Sequence, residues 1–126
     1  MANTLDTRAA PSDAQVTDSV SVTDDALSTI IGLAAHEVPG VIGMAPANLR
    51  EGVRRILGAQ QVDEGVEIDR EEETTVSLYL VVAYGVNIPA VAESVRERVV
   101  YAAGTFAGVE VSRVHIHIVG VGRGER

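Results

Sequence analysis

Two histidines separated by one residue are the side chains of this 126-residue chain best placed to do chemistry. His115 and His117 lie in an alternating segment, and residues i and i+2 of a β-strand project from one face. Two imidazoles can share a metal ion, but a zinc site needs three or four ligands, and Glu110 has the opposite strand parity. We therefore predict a solvated or interface-facing histidine pair and no metal site. A small ligand- or metal-binding domain that uses His115 and His117 is the alternative.

The chain lacks the residue patterns of familiar catalytic sites. It has no cysteine, and all ten of its basic residues are arginine, which excludes thiol nucleophiles and Schiff-base lysines. Neither a G-x-S-x-G elbow nor a phosphate-binding glycine loop occurs. Acid runs such as residues 71–73 are typical of solvated turns, because acid–base catalysis needs a carboxylate in a perturbing environment. We predict no catalytic residue, no cofactor and no enzymatic activity.

The balance of charge bears on the partners of the chain. Its net charge is −8, from 18 acidic and 10 basic residues, and it has three tyrosines, one phenylalanine and no tryptophan. Nucleic-acid binding depends on basic side chains that neutralise phosphates and on aromatic rings that stack on bases. We predict no nucleic-acid partner, although the order of helices and strands is similar to that of small RNA-binding modules such as KH domains.

One long apolar stretch needs separate consideration as a membrane span. Residues 76–92 are mostly apolar, but Gly85, Asn87 and Pro89 interrupt them, and the first half is rich in β-branched residues. This pattern predicts a strand that runs into a helix rather than a span. The first residues lack the apolar segment of a secretory signal, and the absence of cysteine fits a reducing cytoplasm. We expect a cytoplasmic protein that reaches a membrane only through a partner.

The N-terminal part of the chain predicts a tail followed by a helix. Residues 1–19 are small, polar and unpatterned, as in a flexible tail, and residues 20–22 could form a short edge strand. Thr23 is a suitable helix cap. Apolar residues then recur at steps of three and four, at Leu27, Ile30, Ile31, Ala34 and Val38. Pro39 and Gly40 should end this helix, and His36 near its end suits the helix dipole without a catalytic role.

The middle of the chain predicts a weak helix and a hairpin. Residues 41–45 could be a strand or a loop, and residues 49–57 fit a second, weaker helix. A strand at residues 62–68 and a long strand at residues 76–84 flank an acidic turn at residues 70–73. Because the polar connection is short, we expect an antiparallel hairpin.

The C-terminal part predicts an amphipathic helix and an alternating strand. Pro89 suits the first turn of a helix whose apolar stripe is formed by Val91, Val95, Val99, Ala102 and Phe106. A strand follows at residues 109–119, with two alternating sets of side chains on opposite faces: Val114, Ile116 and Ile118 towards the core, and Arg113, His115 and His117 away from it. The glycine-rich residues 120–124 suggest a mobile end.

Together these elements predict the fold class α/β (α+β). We expect one compact two-layer domain at residues 20–121, with helices on one face of a small mixed sheet and the order helix, (helix), strand, strand, helix, strand. Residues 122–126 should form a flexible end. If the strands at 75–84 and 109–119 are neighbours, the helix between them is a crossover and they run parallel.

Three long stretches, residues 34–44, 76–92 and 108–121, together resemble the alkaline shock protein family, which includes the Gls-type general stress proteins of bacteria. The likeness extends from about residue 20 to residue 121. It departs from the family at residues 54–61, where lysines are common in the family and this chain has arginines and glutamines.

The resemblance implies a non-catalytic cytoplasmic stress-response protein of the cell-envelope class. Such a protein would self-associate as a homo-oligomer and lie near the membrane through a membrane-anchored protein partner. The family supplies no catalytic, cofactor-binding or metal-binding residues to transfer. An exposed strand edge in the predicted sheet is one physical route to either kind of association.

Overall fold

The computed structural model describes residues 19–45 and 65–123, and the statements on structure below concern these residues. They form two helices and four strands: α1 (Asp24–His36), β1 (Val41–Met44), β2 (Val66–Asp69), β3 (Thr74–Ala83), α2 (Ile88–Ala102) and β4 (Val111–Gly122). The helix expected at residues 49–57 and the tail expected at residues 1–18 lie outside the described residues.

The central strand of the sheet is β3. Along one edge it pairs in parallel with β4, from Thr74 opposite Val111 to Ala83 opposite Gly122. Along its other edge it pairs antiparallel with β2 near its start and with β1 near its end. The β2–β3 hairpin and the parallel β3–β4 pair therefore confirm the predicted mixed sheet.

The strands β1 and β2 occupy one edge end to end, as two halves of a broken strand. The backbone of Tyr79 joins them: its carbonyl accepts from Ala45 N–H at 3.1 Å, and its N–H donates to the Gly65 carbonyl at 3.0 Å. The chain thus leaves this edge after Ala45 and returns at Gly65. Gly65 has φ +88°, and a Cβ there would lie 2.6 Å from the Ala45 carbonyl oxygen. Only glycine fits this junction.

Both helices cover the same face of the sheet. Alternate residues of β3 point into this layer and are fully buried, namely Val76, Leu78, Leu80 and Val82. The helix α1 contributes Leu27 and Ile31, and α2 contributes Val95 and Val99, all with no exposed surface. Every buried residue in the described core is apolar. The hydrophobic effect, which stabilises by roughly 25 cal/mol per Å² of apolar surface removed from water, thus drives the layers together.

Local signals in the sequence set the bounds of α1. Thr23 has extended backbone angles, and its hydroxyl accepts from Ala26 N–H at 3.1 Å, which confirms the predicted N-cap. Asp24 and Asp25 follow in the first turn, where the helix dipole favours negative charge. At the other end His36 donates from Nδ1 to the Gly32 carbonyl at 2.8 Å. This bond gives His36 a local structural role in the last turn of α1.

The helix α2 ends differently from the prediction. Its stripe of Val91, Val95, Val99 and Ala102 is buried, but Phe106 is 69% exposed. From Ala103 to Ala107 the backbone forms a wider π-type turn, which ends at Gly108 in the left-handed conformation. The i→i+5 spacing of such a turn rotates later residues away from the α-helical face. The expectation that Phe106 continues the core stripe was therefore wrong.

Two further expectations need correction. Residues 20–22 form no strand; instead the Val22 carbonyl accepts a hydrogen bond from Arg70 at 3.0 Å, so this segment is fixed by a side chain. The glycine-rich end expected to be mobile from residue 120 belongs in part to β4, because Gly120, Val121 and Gly122 pair with the end of β3. The ordered strand thus extends one residue beyond the predicted domain limit at residue 121.

The junction at Gly65 yields a stability test. We expect Gly65→Ala to lower the free energy of unfolding by at least about 1 kcal/mol more than Gly85→Ala does, because its Cβ would overlap a backbone carbonyl. Gly85 also has positive φ, at +96°, but open space around its Cβ. The control should therefore lose only about 1–2 kcal/mol of unfolding free energy, the cost of holding a residue with a Cβ at positive φ. Urea unfolding of both variants measures the difference, and equal losses would contradict the junction geometry.

Candidate functional site

The face of the sheet opposite the helices is covered by no described element, and we call it the open face. It is formed by side chains of β2 (Glu67 and Asp69), β3 (Thr75, Ser77, Tyr79 and Val81) and β4 (Arg113, His115 and His117). The strand register sets these neighbours, since Ser77 lies opposite both Glu67 and His115. The open face is therefore formed mostly by polar side chains, with Val81 as an apolar exception.

Tyr79 links the two edges of the open face. Its ring stacks on the His117 imidazole, with ring centroids 4.7 Å apart and planes 10° from parallel. Its hydroxyl donates to Glu67 Oε1 at 3.2 Å. A carboxylate, a phenol and an imidazole thus follow one another across β2, β3 and β4. All three groups are reachable from solvent, because Glu67 and His117 are exposed and Tyr79 is half-buried.

The open face has an acidic side and a basic side. Glu67 and Asp69 lie on β2, whereas Arg113, His115 and His117 lie on β4. No acidic residue occurs anywhere in β4, from Val111 to Gly122. In a chain with a net charge of −8, β4 is therefore a local exception to the general negative charge.

The structure places His115 and His117 on one face, as predicted, but supplies no third metal ligand. Within residues 19–45 and 65–123, no group of three or more histidine, aspartate or glutamate side chains could hold a metal ion. Across the sheet, Glu67 Oε1 instead accepts a hydrogen bond from the Tyr79 hydroxyl. The alternative of a metal- or ligand-binding domain at His115 and His117 thus gains no support from the geometry.

The outer edge of β4 is the second feature of this region. In the described part of the chain β4 pairs only with β3, so one side of its backbone ladder has no strand partner. Val114, Ile116 and Ile118 point towards the helices, as the alternation predicted, but they are half-buried rather than buried. The helices therefore leave the rim of the apolar layer partly uncovered along β4.

The helical side of the molecule carries a shallow groove. It has a volume of about 330 Å³ and is lined by Val38 and Pro39 at the end of α1 and by Ser94, Glu97, Arg98 and Tyr101 of α2. Arg98 donates to Glu37 Oε1 at 2.6 Å and so ties the two helices together. Tyr101 is 59% exposed and meets Phe106 edge to face, at 6.1 Å between ring centroids. The groove thus combines an apolar wall with a surface ion pair.

Electrostatics on α2 give no sign of an acid–base centre. A hydrogen bond from the Arg96 guanidinium lowers the pKa of Glu93 below its ordinary value, and the same contact raises the pKa of Arg96. The two residues are one helical turn apart and exposed. Exposed pairs of this kind contribute little to stability and stay charged at neutral pH.

Comparison with known proteins decides the family. The model of the alkaline shock protein 23 family, described as having a cell envelope-related function, matches residues 12–123, which is most of the chain. The chain belongs to this alkaline shock protein family. The resemblance predicted from the sequence is confirmed at this level, and with it a function related to the cell envelope.

Three proteins similar to the chain illustrate its relatives, two from one bacterium and one from another. The chain is 30% identical over 104 residues to the uncharacterized protein YloU of Bacillus subtilis (strain 168), covering 81% of this chain and 87% of the relative. It is 34% identical over 103 residues to the uncharacterized protein YqhY of the same strain, covering 81% and 76%. The uncharacterized protein Spy1614 of Streptococcus pyogenes serotype M6 is 27% identical over 101 residues, covering 79% and 84%.

No solved structure matches the chain. Among the helices described for this member of the alkaline shock protein family, none is long and apolar enough to cross a membrane.

Sequence reasoning placed Arg113, His115 and His117 on one face but missed the contacts that Glu67 and Tyr79 make there. Glu67 and Tyr79 drew no attention because their roles depend on strand register, which places residues far apart in the chain side by side. The alternation of β3 could have placed Tyr79 on the face away from the helices. Its stacking partner follows only once the parallel register between Tyr79 and His117 is known.

The stacked pair gives a measurable difference between the two histidines. We expect His117→Ala to lower the free energy of unfolding by about 0.5–1 kcal/mol, because it removes an aromatic contact with Tyr79. His115→Ala is the matched control, since His115 is also exposed on the same face and lies opposite Ser77. Chemical unfolding of both variants makes the comparison. A larger loss for His115→Ala would contradict the stacking geometry.

Proposed function

We propose that this chain is a non-catalytic cytoplasmic protein that acts at the cell envelope through protein–protein contacts. In this proposal it self-associates and is held near the membrane by a membrane-anchored protein partner. The stress-response role of alkaline shock and Gls-type proteins is the biological setting that we propose for it. The observation that carries the proposal is the pairing of an uncovered polar sheet face with a strand edge that has no partner among the described residues.

The chemistry of the surface supports contact rather than turnover. The buried residues of the described core are all apolar, so no titratable group there is held in a perturbing environment. The polar groups that do meet, Glu67, Tyr79 and His117, lie on an open sheet face rather than in an enclosed cleft. Enzyme sites usually exclude water to strengthen their electrostatics, and none of the described elements encloses this surface. A broad, rigid, polar face is better suited to docking.

The edge of β4 supports association for a separate reason. A strand with a free ladder of N–H and C=O groups is a template for another strand. Natural proteins protect such edges with charged side chains, prolines, bulges or short length. The strand β4 has twelve residues, no proline and a single charged side chain at neutral pH, Arg113. Its pairing with β3 is regular from Arg113 to Ile118 and shifts register on either side of this segment. Self-association or strand addition from a partner would satisfy these backbone groups.

Membrane proximity in the proposal requires a protein partner. The acidic net charge opposes binding to anionic lipid, and the described helices include no membrane span. We therefore expect purified protein to bind bacterial membranes that keep their integral proteins and not to bind vesicles made from the extracted lipids. Cosedimentation measures both.

Protease-treated membranes are the control for this experiment, because removing the exposed parts of membrane proteins should abolish binding while the lipid remains.

Analytical ultracentrifugation of the free protein tests the proposed self-association, and we expect species larger than the monomer at micromolar concentration. Equal binding to membranes and to pure lipid vesicles would contradict a protein partner. A protein that stays monomeric and binds neither the membranes nor the lipid vesicles would contradict the proposed function altogether.

A further inference from the structure

We propose that the outer edge of β4 pairs with β4 of a second copy of this chain, antiparallel and about a two-fold axis at Ile116. The inference rests on the self-association in the proposed function and specifies its surface. The occupant of the edge is another copy of the same strand, so that two sheets join into one continuous sheet.

The partial burial of β4 is the first support. Val114, Ile116 and Ile118 pack against the core, yet each is only partly buried at the rim of the apolar layer. In an antiparallel pair, directly opposite residues lie on the same face of the sheet. A second β4 would therefore place its own β-branched side chains beside these three. The apolar rim of each copy would cover that of the other.

The spacing of the apolar residues selects the register. With Ile116 opposite its own counterpart, Val114 lies opposite Ile118 of the partner subunit, and the converse pair follows by symmetry. All three apolar residues of each copy then face apolar residues. A shift of two residues in either direction would put Ser112 or Gly120 opposite one of them. The register at Ile116 is the one that joins the whole apolar set.

Charge is the second support for a second copy at this edge. Two chains that each carry −8 repel each other over most of their surfaces. The strand β4 contains Arg113, His115 and His117 and no acidic residue, so contact there avoids carboxylates directly opposite each other. The opposite edge carries acidic side chains of β2. It is also interrupted where the chain leaves at Ala45 and returns at Gly65. The charge pattern and the regular pairing of β4 with β3 from Arg113 to Ile118, the segment centred near Ile116, therefore both favour β4.

The register has a consequence on the open face. His115 of each copy would lie opposite His117 of the partner subunit, which makes two cross-strand histidine pairs at the seam. Cross-strand pairs of opposite charge stabilise a sheet, and like charges directly opposite each other destabilise it. Substitutions at these two exposed positions can thus test the pairing without altering the apolar core.

A charge-swap experiment tests the proposal. We expect His115→Glu/His117→Glu and His115→Arg/His117→Arg, each alone, to raise the dimer dissociation constant about tenfold or more, because each places like charges opposite each other twice. An equimolar mixture of the two variants should restore association, as a heterodimer, to within about threefold of the parent protein. Sedimentation velocity and native mass spectrometry measure the affinity and the composition.

The matched control is Ala26→Glu/Ala90→Glu, which adds two carboxylates at exposed positions in the first turns of α1 and α2. Glutamate is favourable there, and the control should associate like the parent. Circular dichroism confirms that each variant is folded.

The outcomes separate this inference from the proposed function. If neither charge variant changes the dimer dissociation constant, or if the control raises it as much as they do, the β4 pairing is overturned. The proposed self-association is then unaffected. Loss of association in both variants without rescue in the mixture also overturns the antiparallel register. A parent protein that is monomeric at every concentration removes the proposed self-association itself.

Discussion

The whole structure depends on β3, which pairs along both of its edges and contributes the fully buried side chains of the sheet to the core. Its alternate residues Val76, Leu78, Leu80 and Val82 are completely buried under the two helices. Its backbone bonds to β4 on one edge and to the broken strand β1–β2 on the other. Because the side-chain period of a strand is two, burying one set leaves the other set on the opposite face. The open face is therefore a direct consequence of how the core is built.

Within residues 19–45 and 65–123, the two helices cover one face of the sheet, and the sheet has two edges. One edge consists of β1 and β2, which meet at Ala45 and Gly65, and the other is β4, whose pairing with β3 is regular from Arg113 to Ile118. Family membership relates the chain to the cell envelope. Our proposals for contact and self-association use the open face and the outer edge of β4, which no described element covers. The Tyr79–His117 stack gives the open face local order without forming an enclosed reaction site.

Much of the fold follows from patterns in the sequence, and the exceptions have physical causes. The Thr23 cap, the acidic turn and the alternation of Val114, Ile116 and Ile118 reflect local rules, and the structure confirms them. Phe106 was misplaced because a π-type turn breaks the helical period after Ala102. The open face was predicted only in part. The histidine positions follow from strand parity, but their neighbours depend on strand register between segments distant in sequence.

Hydrogen–deuterium exchange at two protein concentrations tests the central claim, that the sheet edge at β4 is where this domain meets another copy of itself. Backbone amides of β4 that face away from β3 have no partner among the described residues and should exchange quickly in dilute protein. We predict that they become protected as the protein is concentrated, while exposed amides of α1 and α2 keep their exchange rates. Concentration-dependent protection confined to the helices, with β4 unchanged, would contradict the account.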